Sequence, residues 1–145
     1  MFDSISSYTE VRECDFKDRH YSVRDNGAVM RHPKNGSRPS KLDCIWTFGT
    51  EDSRTGYMLW GGVRVHQIVA TAFHGSPEDQ NMVIDHIDTN RCNNRPENLR
   101  WVTRLENVLN NPVTRKRITL LLQAHGHTLK DFFENPAILR ESATE

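Results

Sequence analysis

The chain has few cysteines, and the three present, Cys14, Cys44 and Cys92, are far apart in the sequence. Without a Cys-x-x-Cys pair they predict neither a disulfide framework nor a structural zinc site. No apolar run approaches the roughly 18 residues that a membrane span needs. The first residues include acidic side chains but no basic stretch before an apolar segment, which argues against a secretory signal and makes a cytoplasmic location the default.

The chain also lacks an excess of charge of one sign, since its 145 residues carry 19 Lys+Arg and 19 Asp+Glu. This balance argues against binding of nucleic acid by bulk charge alone. Basic residues are nevertheless concentrated in two zones, and solvated surface with counter-charges nearby is the alternative interpretation of both. The zones contain Arg24, Arg31, Lys34, Arg38 and Lys41, and then Arg91, Arg95, Arg100, Arg104, Arg115, Lys116 and Arg117.

The first part of the chain has the pattern of a β-rich module. Short β-prone runs at residues 21–23 and 28–30 flank Asn26-Gly27, and Asn-Gly between such runs is typical of a hairpin. The Pro-, Gly- and Ser-containing segment 32–41 is predicted to be a loop. Residues 42–48 and 57–60 are predicted to form further strands.

Hydrophobic periodicity changes after Gly61-Gly62. Apolar residues at i, i+3, i+4, i+7 and i+8 within residues 65–73 predict an amphipathic helix that ends at His74-Gly75. Residues 82–87 and 99–102 are predicted strands on either side of a polar, Asn-rich loop.

The last part of the chain is predicted to be helical. Thr103 and Glu106 have capping-box spacing at the start of a helix that Pro112 is expected to end. An amphipathic helix follows, with Ile118, Leu121 and Leu122 on its apolar face, and a shorter helix is predicted after Thr128.

Residues 82–111 carry the side chains with the most chemistry. A hard cation such as Mg²⁺ takes carboxylate and amide oxygens as ligands, and an imidazole with an ordinary pKa near 6.5 can accept a proton from water. This combination is sufficient for metal-assisted phosphodiester hydrolysis, although Asn-rich loops are also common turn formers. The polar residues of the segment are Asp85, His86, Asp88, Asn90, Asn93, Asn94, Asn98, Asn107, Asn110 and Asn111.

Residues 84–88 (IDHID) and 93–103 (NNRPENLRWVT), followed by Asn107, resemble the HNH nuclease motif in the form found in phage and intron-encoded homing endonucleases. The predicted helix at residues 65–73 is similar to the helix that precedes the motif in that group, and Tyr21 to Val29 resemble its N-terminal β module. The resemblance covers about residues 19–111. The tail from Val113 has no counterpart that we can name.

The resemblance implies an α+β fold with a ββα-metal (HNH) nuclease core at residues 63–112. A β-rich module, expected to contact DNA, would occupy residues 1–62, and a helical tail residues 113–145. The implied function is metal-dependent hydrolysis of DNA phosphodiesters by one metal ion, with Mg²⁺ expected, Mn²⁺ as the alternative and no structural zinc. DNA is the expected partner and a membrane is not. A bacterial or phage-infected host cell is the implied setting, and the oligomeric state stays open.

Within the motif, the resemblance implies a role for each of four residues. Asp85 and Asn107 would bind the metal, His86 would be the general base, and Asn98 would orient the imidazole of His86. The expected DNA contacts are Arg91, Arg95, Arg100 and Arg104 in the motif, and Arg31, Lys34, Arg38 and Lys41 in the β module.

Other polar residues of the region are predicted to be structural. Asp88, Asn93 and Asn94 are interpreted as turn formers and His66 as a packed histidine. Neighbours on a regular strand point to opposite faces, so Asp85 and His86 can serve one site only if their strand ends or bulges there.

Two rival functions are distinguishable from the sequence. A non-catalytic DNA-binding or regulatory protein that retains the HNH fold would be indicated by loss of Asp85, His86 or Asn107, and all three are present. A toxin or RNA-directed nuclease would be indicated by a translocation segment or an immunity partner, and the sequence points to neither.

Overall fold

A computed structural model describes residues 4–135 and 137–138. It confirms a mixed α/β chain with small β-sheets in its first part and helices in its last. The contacts divide it into two compact units, Met1–Val102 and Thr103–Glu145, called here the N-terminal and C-terminal units. The predicted domain boundaries after residues 62 and 112 stay predictions, and the predicted tail from residue 139 lies outside the described residues. None of the described helices is both long and apolar enough to cross a bilayer.

A three-stranded antiparallel sheet opens the N-terminal unit. Its strands are β1 (Val11–Phe16), β2 (Arg19–Arg24) and β3 (Val29–Arg31), in that spatial order. The predicted Asn-Gly hairpin is confirmed between β2 and β3, where Gly27 has a φ of +91°. A Cβ at Gly27 would lie 2.8 Å from the backbone oxygen of Asn94, so glycine lets this turn pack closely against the Asn-rich loop.

A second small sheet contains β4 (Thr50–Glu51), β5 (Met58–Trp60) and β6 (Val63–Arg64). The prediction of a strand at residues 57–60 is confirmed by β5. The prediction of a strand at residues 42–48 is wrong, because this stretch makes only isolated bridges, through Asp43 and Thr47.

Helix α1 (Val65–His74) supplies half of the buried cluster of the N-terminal unit, as its apolar periodicity predicts. It ends at Gly75, which has a φ of +74°. Its buried face packs against the sheet of β1–β3 and against Leu99. The buried cluster consists of Tyr21, Val23, Val29, Val65, Ile68, Val69, Ala70 and Leu99.

After α1 comes a hairpin of β7 (Met82–His86) and β8 (Leu99–Thr103). A 3₁₀ turn at Pro96–Asn98 leads into β8. Strand β7 ends at His86, which meets the requirement that regular strand structure stop beside Asp85. Helix α2 (Arg104–Leu109) follows directly, giving the predicted β-β-α order.

Three helices form the described part of the C-terminal unit. The hydroxyl of Thr103 accepts a hydrogen bond from the backbone N–H of Glu106 at 3.1 Å and so caps α2 as predicted. Helix α2 ends at Leu109, before Pro112. Pro112 instead begins α3 (Pro112–Ala124), where its missing N–H has no intrahelical partner to lose.

Helix α4 (Leu129–Glu134) completes this unit and begins with a reciprocal capping box between Thr128 and Asp131. Leu121 was predicted to lie on the buried face of α3 but is 40% exposed. The core of the unit is made by Leu109, Leu122, Phe132 and Ile138, with Leu105, Ile118 and Leu129 packed against them.

Candidate active site

Asp85 and His86 are the last two residues of β7 and have different surroundings. The Asp85 carboxylate faces β8, where its Oδ2 lies 2.9 Å from both Nε and Nη2 of Arg100. This side chain is only 14% exposed. The carboxylate of Asp85 is therefore held against a guanidinium by two short contacts to one oxygen, the geometry of a charge-assisted hydrogen bond.

The imidazole of His86 is held by Asn94. His86 is 7% exposed, and its Nε2 lies 2.8 Å from Oδ1 of Asn94, which is also buried. Because that oxygen accepts, Nε2 donates its proton, and in the neutral ring Nδ1 then carries the lone pair. The Asn-rich loop therefore fixes which nitrogen of His86 can accept a proton.

Two further rings pack around His86. The ring of His66, in α1, meets it edge to face at a centroid distance of 5.0 Å, and the ring of Tyr57 lies 6.1 Å away. Burial lowers the pKa of His66 to about 3, and charge on His86, Arg64 and Arg91 adds to this. His66 is consequently neutral at neutral pH and does not compete with His86 as a proton acceptor. The interpretation of His66 as a packed histidine agrees with this environment.

Asn98 holds the loop and does not contact the imidazole. Its Nδ2 donates to Oδ1 of Asp88 at 2.9 Å and to the carbonyl of Asn93 at 2.8 Å, and its Oδ1 accepts from the N–H of Asp88 at 3.0 Å. The prediction that Asn98 orients His86 is therefore corrected, because Asn94 makes that contact. Asn98 acts one step away, by fixing the residue before Asn94.

The turn itself is built on Asp88. Its carboxylate accepts from the N–H of Asn90 and from Nδ2 of Asn93, both at 2.8 Å. The bond from Asn93 and then that from Asn90 lower the pKa of this exposed carboxyl, with a smaller contribution from Asn98. Asp88 and Asn93 thus form a turn, as their positions in the sequence predict.

The three hydrogen bonds of Asn98 predict a large stability effect. Replacing Asn98 with Ala should lower the free energy of unfolding by about 2–3 kcal/mol, because the N–H of Asp88 and the carbonyl of Asn93 lose their buried partner. Urea denaturation measures this change. The matched control is Asn81→Ala, at an exposed position, for which we expect a change of at most about 0.5 kcal/mol. Equal effects at the two positions would contradict the role given to Asn98.

The arginines predicted to contact DNA near the hairpin differ in their present partners. Arg91 donates to the carbonyl of Thr55, and its guanidinium stacks 4.6 Å from the ring centroid of Tyr57. Arg95 lies 3.7 Å from Glu97, and Arg100 pairs with Asp85. Arg104 is exposed at the first position of α2.

The basic residues of the first zone divide into two groups. Arg31 is in an ion pair with the buried Asp43, with Nε and Oδ1 2.6 Å apart, and its own side chain is 12% exposed. The N–H of Ser40 and Arg31 hold the pKa of Asp43 at about 2, against desolvation. This internal pairing favours a structural role for Arg31 over the predicted DNA contact, which stays a prediction. Lys34, Arg38 and Lys41 are exposed along the loop 32–41.

The two residues expected to bind metal belong to different units. Asp85 ends β7 in the N-terminal unit, and Asn107 is exposed on α2 in the C-terminal unit. A carboxylate and an amide are both hard oxygen donors, which suit Mg²⁺ or Mn²⁺ better than softer ions. Each of these oxygen donors suits the divalent ion that the motif implies, and their binding of the same ion stays a prediction.

Comparison with known proteins identifies a similarity in the part of the chain that contains the candidate site. Residues 63–109 match a family model described as HNH endonuclease, and the match contains Asp85, His86, Asn98 and Asn107. No curated protein matches the chain. One similar solved structure is described as "DNA binding and cleavage by the HNH homing endonuclease I-HmuI", with 28% identity and a TM-score of 0.45, covering 64% of this chain. The chain spans about half of that protein, 52% of its length. The segment of residues 63–109, with the β-β-α order described above, belongs to the HNH endonuclease family.

Proposed function

We propose that this protein is a metal-dependent DNA endonuclease in which His86 is the general base. The observation that carries the proposal is the fixed imidazole of His86, held through Nε2 by Asn94 next to a carboxylate that already faces a cation. A general base needs one defined nitrogen able to accept a proton, and the bond to Asn94 leaves Nδ1 for that purpose.

In the proposed reaction His86 removes a proton from water, and the water oxygen attacks the phosphorus of the scissile phosphodiester. The bond from phosphorus to the 3′ oxygen breaks, and that oxygen leaves with the bonding electron pair. The products are a 5′-phosphate and a 3′-hydroxyl, with the leaving oxygen protonated from solvent. His66 packs against the base and, with a pKa lowered to about 3 by burial, is too weak a base to take that proton itself.

Asp85 and Asn107 are the proposed metal ligands. A divalent ion supplies stabilisation of negative charge on the phosphate oxygens as the reaction proceeds. In this structure the guanidinium of Arg100 forms an ion pair with Asp85. We infer that the guanidinium of Arg100, whose side chain is 50% exposed, would turn from Asp85 to a DNA phosphate if Asp85 held a divalent ion.

The test of the proposed function is cleavage of supercoiled plasmid by the purified chain with Mg²⁺, with Mn²⁺ and with EDTA. Nicked or linear product that requires the divalent ion is the expected result. Intact plasmid at saturating protein and ion would favour a non-catalytic DNA-binding protein. Cleavage that persists in EDTA would remove the metal from the mechanism.

DNA affinity is predicted to depend on the exposed part of the first basic zone. Replacing Lys34, Arg38 and Lys41 together with Ala should weaken binding and lower the slope of log K against log salt by up to about 2.7, at roughly 0.9 for each phosphate contact. Fluorescence anisotropy with duplex DNA at several salt concentrations measures both quantities. Saturating DNA should restore most of the cleavage rate, since these residues are far in sequence from the catalytic motif.

Two control variants separate binding from folding. Arg31→Ala removes one charge of the same zone but breaks the pair with Asp43, so it should lower thermal stability with little effect on the salt slope. A triple variant at Lys17, Arg54 and Lys130 removes three exposed charges that lie outside both basic zones. The control variant should keep the salt slope of the wild type. If the loop variant keeps it as well, the loop is solvated surface without a part in DNA binding.

A further inference from the structure

Glu13, His20 and His32 come together on one face of the sheet of β1–β3. Asp15 pairs with His20 across β1 and β2, and Glu13 pairs with Ser22. The N–H of His32, just after β3, donates to the carbonyl of His20 at 2.9 Å. Alternate residues of a strand share a face, so these side chains project to the same side. One ligand atom from each of Glu13, His20 and His32 lies within 4.8 Å of the other two.

The distance between the ligand atoms of His20 and Glu13 equals that between two ligands of a tetrahedral metal ion, and His32 lies within 4.8 Å of both. Nε2 of His20 is 3.4 Å from Oε1 of Glu13. Metal–ligand bonds of about 2.0–2.1 Å place two ligands of a tetrahedral zinc ion roughly 3.4 Å apart. Oγ of Ser22 lies between the others, 2.7 Å from Nε2 of His32 and 3.4 Å from Oε1 of Glu13. Rotation of the exposed Glu13 and His20 side chains, and of the half-buried His32 ring away from Ser22, would complete the approach.

A second observation concerns the other nitrogen of His20. Nδ1 of His20 donates to Oδ1 of Asp15 at 2.8 Å. A carboxylate on the distal nitrogen is the usual support of a metal-bound histidine, because it fixes the ring and its tautomer. It leaves the neutral ring with a lone pair on Nε2, directed toward the Glu13 carboxylate. The cation between Nε2 and Glu13 is either a proton, which Asp15 and then Glu13 favour by raising the pKa of His20, or a metal ion that displaces it.

The surroundings leave room for an ion and its water. An open surface depression of about 810 Å³ lies beside His20 and His32, and its lining includes Asp15, Lys17 and Lys34 but not Glu13. Imidazole and carboxylate together suit late first-row divalent ions, and three protein ligands plus water is a common zinc arrangement.

We propose that Glu13, His20 and His32 bind a late first-row divalent metal ion of the Zn²⁺ type, with water as the fourth ligand. The absence of a cysteine cluster predicts no structural zinc site built on thiolates. The site proposed here has no thiolate and no short sequence motif, so that absence does not exclude it. A bound ion would join β1 and β2 to His32, the first residue of the basic loop 32–41. The site lies outside the HNH segment and does not depend on the proposed nuclease activity.

The experiment is isothermal titration of the untagged full-length chain with Zn²⁺, in the presence of excess Mg²⁺ to occupy hard oxygen sites. We compare the wild type with His20→Ala and His32→Ala, and use His125→Ala, an exposed histidine of the C-terminal unit, as the matched control. His86→Ala separates this site from the nuclease site. Asp15→Ala tests the supporting carboxylate, for which we expect affinity to fall roughly 10- to 100-fold.

The expected result is one equivalent of Zn²⁺ that is lost in His20→Ala and in His32→Ala but kept in His86→Ala and His125→Ala. Zn²⁺ should also raise the Tm of the wild type and leave the Tm of His20→Ala unchanged. The proposal is overturned if the wild type binds no zinc, or if the same equivalent survives in His20→Ala. Loss of the equivalent in His86→Ala would assign it to the nuclease site and would equally overturn the proposal.

Discussion

Replacing His86 with Ala is expected to lower the rate of DNA cleavage by roughly 10²- to 10⁴-fold, the usual contribution of a positioned general base. The imidazole is 7% exposed and its orientation is set by Asn94, so no other described group at that position can take over proton removal from water. The neighbouring ring of His66 cannot substitute, because its pKa of about 3 makes it a very weak base. Single-turnover cleavage of a labelled duplex at saturating protein measures the rate of the chemical step.

The affinity for DNA should change little in the same variant, since the proposed phosphate contacts are basic residues and not the imidazole. His125→Ala, which removes an exposed histidine from the C-terminal unit, serves as the control and should cleave at the wild-type rate. His86→Ala also empties a buried volume, so its Tm is measured in parallel. A folded His86→Ala protein that cleaves as fast as the wild type would exclude His86 from the mechanism.

Replacing Asn94 tests whether the orientation of His86 contributes to its action as the general base. An Asn94→Ala variant loses the hydrogen bond that sets the tautomer of His86 but keeps the base itself. It should therefore reduce the single-turnover cleavage rate less than His86→Ala does; an equal or larger loss in a folded protein would contradict this role of Asn94.

The elements that were predictable from sequence are those with strong local patterns. Helix α1 follows from its apolar periodicity, the β2–β3 hairpin from Asn26-Gly27, and the start of α2 from Thr103 and Glu106. Strand β1 was missed because its sequence, VRECDF, has few apolar residues and most of the strand is exposed. The stretch at residues 42–48 is apolar enough for a strand, but its Asp43 is committed to Arg19 and Arg31, and the chain there makes only single bridges.

In the candidate site, too, only the features that depend on short sequence spacing were predictable. The motif located Asp85 and His86 and indicated a turn at Asp88, since these depend on short sequence spacing. The partner of the imidazole could not be deduced, because Asn94 and Asn98 are both amides in one polar loop and only the path of the 3₁₀ turn decides which faces His86. The pairing of Arg31 with Asp43 and the meeting of Glu13 with His20 depend on strand register, which residue spacing alone does not reveal.

The last prediction concerns the ligands of the metal. Asp85→Asn should raise the Mg²⁺ concentration needed for half-maximal cleavage by roughly tenfold or more, because it removes the formal negative charge from the proposed ligand set. Asn107→Ala should have a smaller effect, since it removes a neutral oxygen. Cleavage measured over a series of Mg²⁺ concentrations gives both values, and Asp79→Asn, an exposed carboxylate of the same unit, is the matched control.

Arg100 has to be accounted for in this comparison. In Asp85→Asn the guanidinium of Arg100 loses its partner and would itself repel a divalent ion, so part of the effect could come from the arginine and not from the lost ligand. Arg100→Gln separates the two contributions. If Arg100 only competes for the carboxylate, this variant should need less Mg²⁺ than the wild type, whereas its affinity for DNA should fall if the released side chain contacts phosphate. The double variant Asp85→Asn, Arg100→Gln should still need more Mg²⁺ than Arg100→Gln alone, because the double variant lacks the Asp85 carboxylate and the single variant keeps it. Equal Mg²⁺ requirements in these two proteins would rule out Asp85 as a metal ligand.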